Sequence, residues 1–196
     1  MATKTFAVLG QDGVGKKTII GSLIYKCGLD MMRLAELEEK GVTTYNGIAS
    51  FYEKNHIAQT FYGPSNRFKV EMTTTPDAAL WVVDATDSDK GKASSEALIS
   101  LISNQQLQPR ELLLIVINKM DSIDWSERVF MDFANTFNSL AELTLTRTVL
   151  VPVSALNGEN ILDYPSKIDW LKETSAGDDV GETRIVSTLP LMEVLR

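Results

Sequence analysis

The residues best suited to chemistry lie near the start of the chain, where an apolar run ends in a glycine-rich turn. Gly10, Gly15 and Lys16 have the spacing of a phosphate-binding loop (P-loop), G-x-x-x-x-G-K-[ST]. Backbone N–H groups of such a loop can wrap a phosphate chain, and the following helix N-terminus adds positive charge. Lys17 replaces the Ser or Thr whose hydroxyl would bind Mg²⁺. The expected phosphate-binding residues are Asp12, Gly13, Val14, Gly15, Lys16, Lys17 and Thr18.

A second motif, N-K-x-D, runs from Asn118 to Asp121 after another apolar run. The Asp121 carboxylate can accept two hydrogen bonds from the N1–H and the exocyclic amine of guanine. Adenine offers no such pair, so the carboxylate would be left unpaired. The stem of Lys119 can pack over the base, and Asn118 can tie this segment to the P-loop. The motif therefore predicts selectivity for guanine.

A third motif, Ser154-Ala155-Leu156, also follows an apolar run, and its backbone can meet the guanine O6. In a parallel sheet, ligands bind at the carboxyl ends of the strands. Three motifs in this order, each after a predicted strand, place one site at that edge of the sheet. The sequence thus predicts a guanine-nucleotide site for GTP or GDP.

Buried strands alternating with amphipathic helices position these motifs. This pattern predicts an α/β fold of the P-loop NTPase type, with three layers, a mostly parallel sheet and helices on both faces. The predicted strands are Thr5–Leu9, Ala78–Val83, Leu112–Ile117 and Thr148–Val153, and the predicted helices are Lys16–Cys27, Met31–Lys40, Ser94–Gln105 and Trp125–Ala141.

The remaining segments complete the predicted fold. Tyr45–Glu53 and His56–Tyr62 are expected to form a hairpin that adds one antiparallel edge strand, with Lys54–Asn55 as its turn. Gly63–Asn66 has the composition of a loop. We expect a mobile loop at Ala176–Thr183 and a closing helix at Ser187–Leu195, with Pro190 in its first turn.

Composition restricts the class of protein. With 196 residues the chain is predicted to be a single domain, and its net charge of −7 argues against a broad nucleic-acid or anionic-membrane surface. Cys27 is the only cysteine, so no internal disulfide can form. We find neither a secretory signal nor an apolar run long enough to span a membrane, and therefore expect a cytoplasmic protein.

Around the three motifs, the sequence resembles the translational GTPases, in particular the group of elongation factor 1-alpha, release-factor and ribosome-rescue GTPases. The resemblance covers nearly the whole chain as that family's first domain (G domain), without the two β-barrel domains that follow it there. It implies one G domain over residues 1–196, GTP or GDP as ligand, and a translation or ribosome-associated partner. The matching segments are Thr5–Thr18, Gly21–Gly28, Val116–Ser122 and Val151–Leu162.

Departures from this family concern the metal and hydrolysis. The resemblance places a Mg²⁺-binding threonine at Thr43 and the family's D-x-P-G-H motif at Phe61–Ser65. Phe61 then replaces an aspartate of the Mg²⁺ shell, and Ser65 replaces the histidine that positions the attacking water. Because the base-reading residues are intact, the sequence predicts guanine-nucleotide binding with weak or no hydrolysis, and with Mg²⁺ binding in question.

Two alternatives stay open at this point. The chain is an active GTPase if Asp84 substitutes as a metal ligand, or if a partner supplies a catalytic residue. It is a pseudo-GTPase scaffold if it binds no nucleotide and acts only as a partner surface. Titration with nucleotides and a hydrolysis assay separate these hypotheses.

Overall fold

The computed structural model describes residues 1–140, 146–165, 167–173 and 186–196. Within these ranges one sheet has the strand order β2-β3-β1-β4-β5-β6. Neighbouring strands are parallel except β2 and β3. The predicted α/β class, with a mostly parallel sheet and one antiparallel edge strand, is confirmed. The strands are β1 (Thr3–Gly10), β2 (Thr60–Tyr62), β3 (Arg67–Val70), β4 (Ala78–Asp84), β5 (Leu112–Asn118) and β6 (Arg147–Pro152).

Several helices begin at polar residues that cap their first turns. The side chains of Asp30, Asp87 and Ser126 accept hydrogen bonds from backbone N–H groups at the starts of α2, α4 and α5. The helices of the described ranges are α1 (Lys16–Cys27), α2 (Met31–Glu39), α3 (Tyr45–Lys54), α4 (Ser88–Ser103), α5 (Glu127–Phe137), α6 (Asp169–Glu173) and α7 (Leu191–Val194), with a 3₁₀ helix at Met120–Ile123.

The central strands are apolar throughout because helices cover both faces of the sheet. In β4, Leu80 and Val82 belong to the cluster that contains buried residues of α1 and α3. Trp81 and Val83 belong to the cluster that contains buried residues of α4 and α5. Successive side chains of a strand point to opposite faces, so a strand buried on both sides has no polar alternation.

The predicted strand at Tyr45–Glu53 is wrong, because this segment is helix α3. Thr44 caps the helix, and its Oγ1 accepts a hydrogen bond of 3.1 Å from the N–H of Gly47. Gly21 of α1 lies against the first residue of α3, since a Cβ on Gly21 would be 1.7 Å from the Tyr45 carbonyl oxygen. The buried residues Ile48, Ala49 and Tyr52 follow a helical period, which the aromatic and β-branched content of the segment obscures.

The antiparallel edge comes instead from β2 and β3. The predicted strand at His56–Tyr62 shortens to Thr60–Tyr62, and β3 was not predicted. Gly63–Asn66 is the turn between them, closed by a hydrogen bond of 2.8 Å from the Gly63 N–H to the Asn66 carbonyl, so the predicted loop is confirmed. Since β3 has only four residues, with exposed basic ones between apolar ones, its pattern is too short to recognise.

Other differences are smaller. Helix α4 begins at Ser88 and α5 at Glu127, so one is longer and the other shorter than predicted. The closing helix is only α7, and Pro190 lies at its N-cap. The predicted loop at Ala176–Thr183 lies outside the described residues. Among the helices in the described ranges, none has both the length and the apolar character that a membrane span requires.

Candidate functional site

The glycine-rich turn has the backbone geometry of a phosphate-binding loop. Gly10 and Gly15 have φ angles of 139° and 98°, where a side chain is strained. There is also no room for one: a Cβ on Gly10 would lie 2.4 Å from the Val82 carbonyl oxygen, and a Cβ on Gly15 would lie 2.4 Å from Asn118 Nδ2. Both glycines are therefore required for the loop to pack against β4 and β5.

Lys16 lies across this loop. Its Nζ donates hydrogen bonds to the carbonyl oxygens of Gly10 (2.5 Å) and Gln11 (2.8 Å), and it lies 3.5 Å from the Asp12 carboxylate. A phosphate bound in the loop would compete for this ammonium group. The structure thus places the Lys16 ammonium group, the cation predicted from the motif, against the backbone of the phosphate-binding loop.

Asn118 connects the three motifs. Its Nδ2 donates to the Val14 carbonyl in the P-loop (2.8 Å), and its Oδ1 accepts from the Ala155 N–H (2.9 Å). The side chain is buried, with 2% of the residue exposed. The predicted tie between the second motif and the P-loop is confirmed, and the third motif is held by the same amide.

The base-reading segment, Asn118–Asp121, is anchored to the sheet by buried groups, while its Asp121 is partly exposed. Met120 is fully buried, and its N–H donates to the Val153 carbonyl (3.2 Å). Asp121 lies in the following 3₁₀ turn and is partly exposed, with its carboxylate 3.5 Å from the hydroxyl of the next residue. Ser154 is fully buried, whereas Leu156 is 72% exposed. This arrangement leaves the Asp121 carboxylate accessible to the hydrogen-bond donors of a base.

The ammonium group of Lys17 is engaged in an ion pair with α3. Its Nζ pairs with the carboxylate of Glu53 in α3 at 2.6 Å, and both side chains are about half exposed. Glu53 was not singled out from the sequence, since only the helical conformation of α3 brings it to α1. Thr18 and Thr43 line one cavity of about 550 Å³ together with Leu156. Thr43 therefore shares a cavity with the first turn of α1, and its role as a Mg²⁺ ligand stays a prediction.

Asp84, at the end of β4, is engaged by protein groups. Its Oδ2 is 2.5 Å from Lys119 Nζ, and its Oδ1 accepts from the N–H (3.0 Å) and the hydroxyl (2.7 Å) of Thr86. Burial raises the pKa of Asp84, but the hydrogen bonds from Lys119 and Thr86 outweigh it, so the pKa lies below its ordinary value of 3.8. Asp84 is thus an ionised partner of Lys119.

The predicted positions of the hydrolytic motif are wrong. Phe61 is fully buried in β2, where its ring stacks on Phe68 with centroids 5.2 Å apart. Ser65 lies in the turn between β2 and β3, beside the N-terminal end of β1, because Arg67 pairs with Thr3. The P-loop follows the opposite end of β1. Neither residue can therefore reach the phosphate site from its place in the sheet.

The strand end that adjoins the P-loop belongs to β3. Val70 pairs with Phe6, and the Glu71 N–H donates to the Phe6 carbonyl (3.0 Å). Residues 71–77 then lead directly into β4 and read Glu-Met-Thr-Thr-Thr-Pro-Asp, without glycine or histidine. The half-polar alternation of β3 is the only sequence signal that could have located this connection.

Lys17 and Asp84 are poorly suited to bind Mg²⁺. Lys17 brings a cation where a hydroxyl ligand is needed, and both carboxylate oxygens of Asp84 already accept hydrogen bonds. In the part of the chain that the structure describes, no three His, Cys, Asp or Glu residues are grouped as metal ligands would be. These residues thus lack the usual donor set for this ion.

Comparison with known proteins places the chain in a family. Residues 1–195 match the family model of the elongation factor Tu GTP binding domain. Sulfate adenylyltransferase subunit 1 of Sulfurovum sp. (strain NBC37-1) is 30% identical over 197 residues, covering 84% of this chain and 40% of that protein. Elongation factor 1-alpha of Yarrowia lipolytica (strain CLIB 122 / E 150) is 25% identical over 219 residues, covering 90% of this chain and 46% of that protein.

A solved structure has the same fold. The S. cerevisiae Ski7 GTPase-like domain, bound to GDP and inorganic phosphate, superposes with a TM-score of 0.62 at 19% identity, covering 99% of this chain and 48% of that one. The chain spans less than half the length of the curated relatives that it matches. Because the family model covers nearly every residue, the chain belongs to the elongation factor Tu GTP-binding domain family and is related to elongation factor 1-alpha.

Proposed function

We propose that this chain binds GTP and GDP and hydrolyses GTP weakly or not at all. The observation that carries the proposal is the double contact of Asn118 with Val14 and Ala155, which joins the phosphate loop to both base-side loops. A site built from three separate loops binds best when the loops are already ordered, since ordering them would otherwise reduce affinity. Asp121 then supplies the selectivity for guanine.

The phosphate side supports binding without turnover. Phosphoryl transfer depends on positioning and on charge stabilisation, usually with a metal ion and a group that orients water. Lys17 takes the place of a metal ligand, and residues 71–77 contain no histidine to orient water. Binding energy from the loop amides and Lys16 does not depend on these missing groups. The expected result is nucleotide affinity that is independent of Mg²⁺.

The relatives are consistent with this assignment. The Ski7 GTPase-like domain has been crystallised with GTP and also with GDP and inorganic phosphate. We extend guanine-nucleotide binding from such relatives to this chain, with residues 1–196 acting as one nucleotide-binding unit. A translation or ribosome-associated protein is the partner class that the elongation-factor relatives favour, and we place this unit in the cytoplasm.

Calorimetric titration with GTP, GDP and ATP, each with and without Mg²⁺, tests the proposal. We expect GTP and GDP to bind similarly in both conditions and ATP to bind at least about 100-fold more weakly, since adenine leaves Asp121 unpaired. Asp121→Asn exchanges an acceptor for a donor and should transfer the preference from guanosine to xanthosine nucleotides. Asp124→Asn is the matched control, because its carboxylate is 83% exposed on the same loop.

The remaining hypotheses correspond to definite outcomes. Equal binding of all three nucleotides would refute the proposed guanine selectivity, and undetectable binding of all three would leave only a pseudo-GTPase scaffold. Single-turnover hydrolysis well above the rate in buffer, alone or with added ribosomes, would show an active GTPase. A wild-type rate equal to that of buffer in both cases supports a binding module.

A further inference from the structure

Asp84 and Lys119 meet because of the sheet register. Asp84 is paired with Asn118 across β4 and β5, and the Ala85 N–H donates to the Asn118 carbonyl (2.9 Å). The residues that follow these strand ends are therefore neighbours. The Asp84 side chain is 16% exposed and that of Lys119 is 36% exposed, so solvent screens their contact of 2.5 Å less than a surface ion pair.

Two further features fix this pair. Thr86 donates both its N–H and its hydroxyl to Asp84 Oδ1, which holds the carboxylate in one orientation. Lys119 has a left-handed backbone with φ 65°, which few residues other than glycine adopt. The end of the lysine and its backbone are thus both restrained, and the stem between them consists of methylene groups.

Lys119 lies beside the phosphate loop. Lys119, Asp84, Gly13 and Val14 line the same cavity of about 190 Å³. A free lysine has four rotatable bonds, and ordering such a side chain when a ligand binds reduces affinity. With its ammonium held at the end of β4, the lysine is already ordered next to the loop before a nucleotide binds.

We propose that Asp84 is a positioning residue for guanine binding, which holds Lys119 so that its methylene stem forms a preset wall for the base. This inference rests on the proposed function, since it describes how the same site recognises its ligand. It assigns Asp84 a role other than metal binding. Because Lys119 would act on the base, the effect of Asp84 is expected to be the same for di- and triphosphates.

The experiment compares Asp84→Asn, Lys119→Met and the double variant by calorimetry with GDP and GTP, with and without Mg²⁺. Asp84→Asn keeps the acceptor for Thr86 and removes the charge that holds Lys119. We expect it to weaken both nucleotides by about threefold to tenfold, the effect of ordering one long side chain. Lys119→Met should cause at least the same loss, and the double variant no greater loss than Lys119→Met alone.

Asp87→Asn is the matched control, because it also removes one carboxylate charge near this cavity, but that carboxylate pairs with Lys90 and not with Lys119. It should leave both affinities unchanged. A ligand-free readout separates positioning from general damage: the Lys119 ammonium signal in ¹H–¹⁵N NMR should be present in the wild type and lost in Asp84→Asn, with an unchanged melting temperature.

Three results would overturn the inference. Unchanged affinity in Asp84→Asn would show that Lys119 needs no such support. A loss seen only with Mg²⁺ would make Asp84 a metal ligand, and additive losses in the double variant would make the two residues independent. If the wild-type chain binds no guanine nucleotide, the proposed function and the inference both fail. If the wild type binds and Asp84→Asn binds equally well, the inference alone fails.

Discussion

The two sides of the candidate nucleotide site are held in different ways. On the base side, which comprises Asn118–Asp121 and Ser154–Leu156, buried hydrogen bonds join the loops to each other and to the sheet. On the phosphate side, Lys17 is tied by a half-exposed ion pair to α3, and residues 71–77 form a direct connection between strands. The base side has the groups that its motifs predict, whereas the phosphate side keeps its loop glycines and Lys16 but has a lysine at the metal-ligand position and no histidine in residues 71–77.

This difference separates recognition from turnover. Recognition of a base requires a few hydrogen-bonding groups in fixed positions, and a buried amide such as Asn118 supplies such fixation. Turnover requires a metal, an oriented water and a segment that closes over the γ-phosphate. In the described part of the chain, Asn118 and Asp121 are placed for the first task, whereas Lys17 occupies the motif position of a metal ligand and residues 71–77 contain no histidine for the second. The following predictions test how independent the two sides are.

The largest effect is expected from Asn118→Ala. The substitution leaves the Val14 carbonyl and the Ala155 N–H without their buried partner, at about 1–3 kcal/mol each. We expect the free energy of unfolding, measured in urea, to fall by about 2–4 kcal/mol. Guanine-nucleotide affinity should fall on the order of 100-fold, since a loss of about 2.8 kcal/mol corresponds to that factor.

Asn157→Ala is the matched control for this variant. Asn157 belongs to the same loop as Ala155 but is exposed, and its Nδ2 bonds the Glu159 carboxylate at 3.2 Å. Its loss should change stability by less than about 0.5 kcal/mol. Wild-type stability and affinity in Asn118→Ala would mean that the three loops are held independently, and the contrast between the two sides would lose its physical basis.

The predictability of the two sides from sequence also differs. The base side follows β5 and β6, which are long apolar runs whose identity and direction are unambiguous. The sequence alone therefore places Asn118, Lys119 and Asp121 at the end of a strand. The bond from Asn118 to Val14 is expected from the motif, but its second bond to Ala155 is not, because it depends on how two neighbouring loops pack.

On the phosphate side the errors have one origin. Tyr45–Lys54 is rich in aromatic residues, which favours the prediction of a strand. With a strand assigned there, the hairpin is predicted one element too early in the chain. The expected position of the D-x-P-G-H motif, which follows that hairpin, is therefore too early as well. The helix is fixed by tertiary packing at Gly21, which no local propensity reports. The four-residue β3 is missed for a related reason, since it pairs with β1 and β2 while its own sequence is too short to identify it.

Asp77→Asn is expected to reduce stability without affecting the site. The Asp77 carboxylate accepts from the Thr5 N–H (2.7 Å) and the Thr5 hydroxyl (2.9 Å), near the end of β1 that is remote from the P-loop. The Thr5 N–H is the main reason that the pKa of Asp77 lies below its ordinary 3.8; burial opposes the shift, and the Thr5 hydroxyl and Arg110 add to it. The variant should lose about 1–3 kcal/mol at neutral pH and keep nucleotide affinity within twofold.

The pH dependence of this loss has a definite sign. A carboxyl group whose pKa is lowered on folding contributes its full stabilisation above the unfolded pKa, and that contribution disappears as the pH falls through the folded pKa. Urea unfolding should thus give a constant difference between wild type and Asp77→Asn above about pH 5, and a shrinking one below 3.8. Glu96→Gln, an exposed change on α4, is the control and should show no such trend. If the nucleotide affinity of Asp77→Asn falls together with its stability, the two ends of β1 are coupled, contrary to this prediction.

The smallest effect is expected from Lys17→Ser, which restores the hydroxyl of the P-loop motif. Loss of the half-exposed pair with Glu53 should change the free energy of unfolding by less than about 1 kcal/mol. GTP affinity should become dependent on Mg²⁺, with a gain of about tenfold on adding the ion, equivalent to about 1.4 kcal/mol. Titration in Mg²⁺ and in EDTA measures this gain, and Lys17→Ala controls for removal of the ammonium group alone. Identical behaviour of the serine and alanine variants would show that the missing hydroxyl is not what separates the phosphate side from a metal-dependent site, and would direct attention to residues 71–77 instead.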